Sequence, residues 1–201
     1  MLARRARATL PATDDRWLDR WSSLIGAKAA GLPVLELGCG SGADSATLSV
    51  LGHQVVGIDL SADEIAKARA RVPSGIFHCQ DVRAPFPVTN AGVVVASLSL
   101  HYFPWLETVD LVRRIHDVLR PQGLVLCRLN STNDHHFGAS GHPEISENYF
   151  NVDGEPKRFF DLIAVKRLFA SGWRMLTLGE KTIARYDRPK VVWEVILERL
   201  P

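Results

Sequence analysis

The chain has 201 residues, and its composition of 46% hydrophobic and 23% charged residues is ordinary for a globular protein. That balance excludes disordered and collagen-like chains, and three cysteines are too few for a disulfide framework. With 24 basic and 22 acidic residues the net charge is only +2, far from the basic excess of a dedicated nucleic-acid-binding domain.

The length predicts a single domain over residues 1–201 that begins with a tail and a helix. Residues 1–13 carry several arginines among alanines and lack the continuous apolar stretch of a secretory signal, so we expect a basic tail. Residues 14–30 repeat tryptophans and aliphatic residues at helical spacing, which predicts an N-terminal helix. Nowhere does an apolar run approach the roughly 18 residues that cross a bilayer, so we expect no membrane segment.

Short apolar runs then alternate with helix-like stretches. The predicted strands are Pro33–Leu37, Gln54–Ile58, Gly75–Cys79, Gly92–Ser97 and Leu124–Leu129, and the helices between them are Ala43–Leu51, Ala62–Arg71 and Glu107–Leu119. Strands that are apolar on both faces are typical of a parallel sheet covered on both sides. A helix over Asp161–Ala170 and two strand-like runs, Arg174–Leu178 and Val191–Glu198, complete the pattern. The sequence therefore predicts an α/β fold with a doubly wound, mostly parallel seven-stranded sheet and helices on both faces.

A polar segment over residues 131–160 interrupts this rhythm after the fifth strand. It is rich in Asn, His and Gly with interleaved aromatic residues, and a loop of this length in a compact domain is usually functional or mobile. We interpret it as a lid over a substrate site. Its histidines and acids match neither the HExxH spacing nor a Cys/His finger, so we expect no metal.

The strongest motif is a strand that runs directly into three glycines and then a helix. Residues 36–42 read Glu-Leu-Gly-Cys-Gly-Ser-Gly, and a second strand ends in the carboxylate of Asp59. Such glycines let backbone N–H groups approach a ligand, and an acid at the end of the second strand can accept both hydroxyls of a ribose. The spacing differs from the GxGxxG of dinucleotide folds, and Glu36 suits a cationic amino-acid group while it would repel a pyrophosphate.

These residues, with Gln80–Val82, Ala96–Phe103 and Leu119–Leu124, resemble the Rossmann-like (class I) S-adenosylmethionine-dependent methyltransferases. The resemblance implies S-adenosylmethionine as cofactor, with methyl transfer as the activity. It implies that Glu36, Gly38, Gly40 and Gly42 surround the methionine part, and that Ser97 or its neighbour Ala96 offers a carbonyl to the methionine amine. It further implies that Asp59 binds the ribose, that Asp81 accepts from the adenine amino group, and that Leu60 and Val82 pack on the ring.

The acceptor side is less constrained. Methyl transfer from a sulfonium depends mainly on alignment and on exclusion of water, and a base is needed only when the nucleophile carries a proton. His101 is the candidate base, with a purely structural histidine as an equal alternative, and Tyr102 is a second candidate catalytic or pocket-lining residue. The candidate acceptor-binding residues are Arg128, Asn130, Tyr149 and Arg158, with structural ion pairs as the alternative for the arginines.

The near-neutral charge favours a small-molecule acceptor and makes nucleic acid an improbable partner. Methylation of a protein or RNA, and a module that binds S-adenosylmethionine without turnover, remain open alternatives. A nicotinamide oxidoreductase is disfavoured by the glycine spacing and by Glu36. The cysteines have no CxxC spacing, which favours reduced thiols and a cytoplasmic protein. The sequence does not indicate an oligomeric state.

Overall fold

A computed structural model describes residues 15–184 and 186–201, so the predicted basic tail over residues 1–13 lies outside the described residues. The described residues form ten strands in two sheets: β1 Val34–Leu37, β2 Val55–Asp59, β3 Ile76–Cys79, β4 Ala91–Ser97, β5 Leu119–Asn130, β6 Glu144–Ser146, β7 Tyr149–Val152, β8 Glu155–Arg158, β9 Trp173–Ile183 and β10 Lys190–Arg199. The helices are α1 Ser22–Ala29, α2 Ala43–Val50, α3 Ala62–Arg71, α4 Trp105–Val118 and α5 Leu162–Leu168.

The larger sheet has seven strands in the order β3-β2-β1-β4-β5-β10-β9. The pairs among β1 to β5 are parallel, whereas β10 runs antiparallel to both β5 and β9. The prediction of a mostly parallel seven-stranded α/β sheet is therefore confirmed. The chain leaves β1 toward β2 and later returns to pair β4 on its other side. This reversal opens a crevice at the carboxyl ends of the strands, where open α/β sheets bind their ligands.

Alternate side chains of the strands enter two separate apolar cores. Leu35 and Leu37 of β1 pack in a core that includes residues of α4 and α5. Val34 packs on the opposite face with residues from the N-terminal segment and α2. The period of two along a strand places Glu36 on this second face.

The N-terminal helix differs from its prediction in geometry. Residues 17–21 form a turn of 3₁₀ helix, and the α-helix proper begins at Ser22. Trp17 and Leu18 are nonetheless buried, as the apolar spacing indicated. Among the described residues, no helix is long and apolar enough to cross a membrane.

The segment over residues 131–160 is more ordered than a polar loop. Strands β6, β7 and β8 form an antiparallel sheet of their own, with Asn148 and Asp153 at positive φ in the connecting turns. This small sheet is anchored to the segment after β4, because the Tyr149 hydroxyl donates to the carbonyl of Tyr102 at 3.0 Å. Arg158 Nε also donates to the carbonyl of Phe103 at 3.3 Å. Its function as a lid stays a prediction.

Candidate active site

A cavity of about 910 Å³ lies at the carboxyl ends of β1, β2 and β4 and reaches the small sheet. One side is lined by residues at or just after the carboxyl ends of β1, β2 and β3, namely Gly38, Asp59, Leu60, Ser61, Asp81, Val82 and Arg83. The other side is lined by residues that follow β4 and by the small sheet: Leu98, Ser99, Tyr102, Phe103, Pro104, Glu107, Tyr149, Glu155 and Pro156. The volume is in the upper part of the range for small-molecule sites.

Asp59 joins the glycine loop to the start of α3. Its carboxylate accepts from the Gly40 N–H at 2.8 Å through Oδ2 and from the Ser61 N–H at 2.9 Å through Oδ1. A carboxylate has about four acceptor positions, so each oxygen keeps capacity for a further donor. Since Asp59 also lines the cavity, that capacity is available to a pair of hydroxyl groups.

Gly38 brings the loop against the end of β4. It has φ +69°, and a Cβ at this position would lie 2.5 Å from the Cβ of Ser99. Only glycine combines this backbone conformation with so close an approach. Gly40 and Gly42 also have positive φ, but they do not line the cavity. They shape the loop, and of the three glycines Gly38 is the one that contacts the cavity.

The carboxylate of Asp81 faces the cavity but is already bound by its neighbour. Arg83 donates through its backbone N–H and Nε to Oδ1 and through Nε and Nη2 to Oδ2, at 2.5–3.0 Å. These contacts with Arg83 hold the pKa of Asp81 below its ordinary value. Neither the pairing nor the presence of Arg83 in the cavity is predicted by the motif.

The far wall is aromatic and acidic. Tyr102, Phe103 and Tyr149 provide rings, and Glu107 and Glu155 provide the carboxylates. Burial raises the pKa of both tyrosine hydroxyls, so both rings stay neutral at physiological pH. This wall can receive a flat, neutral or cationic molecule, because aromatic faces attract cations.

His101 does not line the cavity but lies beside Tyr102, with the two ring centroids 4.1 Å apart. It is 4% exposed, and its Nδ1 has no hydrogen-bond partner among residues 15–184 and 186–201. Burial, reinforced by the charges of Lys190 and Lys157, holds its pKa well below the ordinary value. A neutral histidine with so low a pKa is a weak proton acceptor, and this placement favours the structural alternative over the base.

Arg128 is the clearest departure from the predicted site. It is fully buried, forms ion pairs with Glu194 and Asp15, and its guanidinium carbon lies 4.2 Å from the ring centroid of Trp17. This placement favours the alternative of a structural ion pair over acceptor binding for Arg128. Its charge is already neutralised inside the protein, away from the cavity.

Glu36 is buried on the face that carries α1 and α2, where it accepts a hydrogen bond from the hydroxyl of Ser45. It does not line the cavity, so the structure gives it a local contact and does not place it against a ligand. Ser97 also lies outside the lining, and its hydroxyl is buried with no hydrogen-bond partner in the described part of the chain.

Asn130 and Arg158, two other predicted acceptor-binding residues, do not line the cavity either. Both atoms of the Asn130 amide are buried without a hydrogen-bond partner in the chain as far as it is described. Arg158 instead makes a cation–π contact with Tyr149, with its guanidinium carbon 4.7 Å from the ring centroid. Of the four predicted acceptor-binding residues, only Tyr149 reaches the cavity.

Several lining residues were missed by sequence reasoning. Glu107 has a weak signal as an acid in the first turn of the helix after β4, whereas Glu155 and Pro156 belong to the small sheet and have none. No three His, Cys, Asp or Glu side chains come together as a metal site among the described residues.

Known proteins resemble part of this sequence and its fold. The family profile described as a methyltransferase domain matches residues 34–123. A Bacillus subtilis protein named as a methyltransferase, YqeM, is 32% identical over 124 residues, which are 57% of this chain and 49% of that protein. The trans-aconitate 2-methyltransferase of Escherichia coli is 32% identical over 98 residues, covering 48% of this chain and 38% of the relative.

The chain thus spans half or less of the length of these two curated relatives. A solved S-adenosylmethionine-dependent methyltransferase of Methanosarcina mazei superposes with a TM-score of 0.73 at 17% identity, covering 88% of this chain and 97% of that one. This last likeness concerns the fold. The matched residues 34–123 include the glycine loop, Asp59 and Asp81, which line one side of the cavity or lie beside it. Residues 34–123 thus match a methyltransferase domain, and the chain has the fold of a solved S-adenosylmethionine-dependent methyltransferase.

Proposed function

We propose that this protein transfers the methyl group of S-adenosylmethionine to a small-molecule acceptor in the cavity. The observation that carries the proposal is the Asp59 carboxylate, which lines the cavity beside Gly38 and keeps acceptor capacity on both oxygens. Ribose hydroxyls would donate to Asp59, the adenine ring would pack on Leu60 and Val82, and its amino group would donate to Asp81. Glu36 and Ser97 remain proposed neighbours of the methionine part.

The proposed reaction is an in-line displacement. A lone pair of the acceptor forms a bond to the methyl carbon while the carbon–sulfur bond breaks, and its electrons return to sulfur, which becomes a neutral thioether. If the attacking atom carries a proton, that proton leaves to solvent or to a base after the bond forms. The sulfonium is already an activated leaving group, so the chain's contribution is alignment and exclusion of water.

The far wall supports an acceptor with an apolar or aromatic body, because the rings of Tyr102, Phe103 and Tyr149 line it. Its two carboxylates are partly neutralised, since Oε2 of Glu107 lies 3.6 Å from Nη1 of Arg83 and Oε2 of Glu155 lies 3.4 Å from Nζ of Lys157. The small sheet over residues 144–158 would cover this acceptor as a lid. We assign His101 to positioning, since it supports the ring of Tyr102.

The backbone directly after β4 is strained. Leu98 has φ +59°, a conformation that is uncommon for a non-glycine residue. Its N–H donates to the carbonyl of Arg128 at 2.9 Å, which holds the turn after β4 in place. Strain of this kind is often found where a backbone is shaped for a ligand, and it agrees with a site at this strand end.

The proposal is tested in two steps. Calorimetry with S-adenosylhomocysteine should show binding by the wild-type protein, and NAD should not compete. Transfer of label from methyl-labelled S-adenosylmethionine is then measured across small acceptors in matched pairs that differ only in a carboxylate or an amine. Donor binding without transfer to any acceptor would favour the non-catalytic module, and tight binding of NAD would refute the proposal.

The three cysteines have no CxxC spacing, and all three are free thiols. Free thiols are typical of a reducing compartment, which supports a cytoplasmic location.

A further inference from the structure

The side chain of Arg83 occupies the part of the cavity that the proposed function assigns to the adenine amino group. Four contacts from Arg83 reach the Asp81 carboxylate, two to each oxygen, at 2.5–3.0 Å. Three N–H groups of Arg83 make these contacts, since Nε–H is shared between both oxygens, and they take up most of the about four acceptor positions of the carboxylate. An incoming amino group therefore competes with the Arg83 side chain for Asp81.

A second position for the guanidinium lies alongside. Nη1 of Arg83 is 3.6 Å from Oε2 of Glu107, an ion-pair distance that is too long for a hydrogen bond. That Oε2 atom is buried and has no hydrogen-bond partner among residues 15–184 and 186–201. The guanidinium carbon also lies 5.6 Å from the ring centroid of Phe103, within reach of a cation–π contact. A small movement of the Arg83 side chain would therefore bring its guanidinium into contact with the Glu107 carboxylate and the Phe103 ring.

The backbone need not move in this exchange. Nη1 of Arg114, on α4, donates to the carbonyls of Val82 at 3.2 Å and Arg83 at 2.9 Å, and Nη2 donates to that of Ala84. These bonds fix the turn after β3, whereas the Arg83 side chain is 58% exposed and free to change rotamer. Because the contacts to Asp81 at 2.5–3.0 Å are shorter than the 3.6 Å approach to Glu107, displacement of Arg83 costs up to the worth of one exposed ion pair.

We propose that Arg83 controls donor affinity by occupying Asp81 in the empty site and moving to Glu107 and Phe103 when the adenine amino group arrives. The inference rests on the proposed function, since it assumes that Asp81 receives adenine. Arg83 thus competes with the donor. A residue that merely positioned Asp81 would have the opposite effect on affinity when removed.

The test is calorimetry with S-adenosylhomocysteine. Arg83→Gln should bind it about two- to fivefold more tightly than the wild type, the worth of one exposed ion pair. Glu107→Gln, which weakens the alternative position while Arg83 remains, should bind it more weakly. Arg113→Gln is the matched control, because Arg113 pairs with Asp110 and Asp117 on the same helix as Glu107 and lies outside the cavity.

A further readout separates competition from a general change of the site. The analogue S-inosylhomocysteine replaces the adenine amino group by a carbonyl, and with it the gain of Arg83→Gln should disappear. Unchanged or weaker binding of S-adenosylhomocysteine by Arg83→Gln, with the wild type binding normally, overturns the inference alone. Failure of the wild type to bind overturns the proposed function as well.

Discussion

Replacement of Asp59 tests the donor site directly. The carboxylate accepts from the Gly40 and Ser61 N–H groups at 2.8 and 2.9 Å and would accept both ribose hydroxyls on its remaining positions. A hydrogen bond to a charged group contributes about 1.5–3 kcal/mol, and about 1.4 kcal/mol is a tenfold change in affinity. Asp59→Ala should therefore weaken S-adenosylhomocysteine binding by at least about ten- to a hundredfold, as measured by calorimetry.

Loss of affinity could also arise because the glycine loop relaxes when its two backbone partners disappear. Asp59→Asn retains one acceptor oxygen for the loop and loses the charge, so it should show an intermediate loss. A cycle with the 2′-deoxy analogue of S-adenosylhomocysteine isolates the ribose contact: the wild type should lose affinity for the analogue, and Asp59→Ala should hardly distinguish the two ligands.

Asp63 provides the control for this series. It lies in the first turn of α3, four residues after Asp59, and is exposed outside the cavity. Asp63→Ala should leave binding within about twofold of the wild type, as surface substitutions usually do. Unchanged affinity in Asp59→Ala would refute the ribose assignment and with it the reasoning from the second strand.

Three other predictions concern the rest of the site and its support. Arg128→Met leaves the buried Glu194 paired with the half-exposed Arg20 and should lower the free energy of unfolding, measured in urea, by about 1–3 kcal/mol. A change below about 0.5 kcal/mol would show that Arg20 and solvent compensate the charge of Glu194. Burial lowers the pKa of His101, so the unfolded state binds the extra proton and the stabilisation present above pH about 6.5 is lost as pH falls. His101→Phe should therefore flatten the unfolding free energy between pH about 5 and 7. Its methyl-transfer rate should keep the pH dependence of the wild type, whereas removal of a catalytic base would abolish the acidic limb. Hydrogen exchange over residues 144–158 should slow when S-adenosylhomocysteine and an acceptor are both present, and equal protection in the empty protein would identify a rigid structural sheet.

The sequence by itself determined the parts of this protein that depend on short-range patterns. Continuous apolar runs and the helices between them specify the parallel strands, because a strand that is apolar on both sides must be covered on both sides. The strand that ends before Gly38 and the strand that ends at Asp59 could be placed for the same reason. Ser61 begins α3 by accepting from the Glu64 N–H at 3.3 Å, a contact within three residues.

The tertiary structure decided whatever depends on partners distant in sequence. Arg128 was expected to bind the acceptor, but it forms ion pairs with Glu194 and Asp15, which are 66 and 113 residues away in the sequence. A local sequence pattern cannot predict contacts over such distances. The polar segment over residues 131–160 became a small sheet because its strands satisfy one another's backbone groups, a pairing that its irregular polarity hides. Even Arg83, two residues from Asp81, acquires its second partner from α4 only when the fold brings Glu107 to the same cavity. Local patterns fix where strands end, whereas only packing fixes which side chains then face one another.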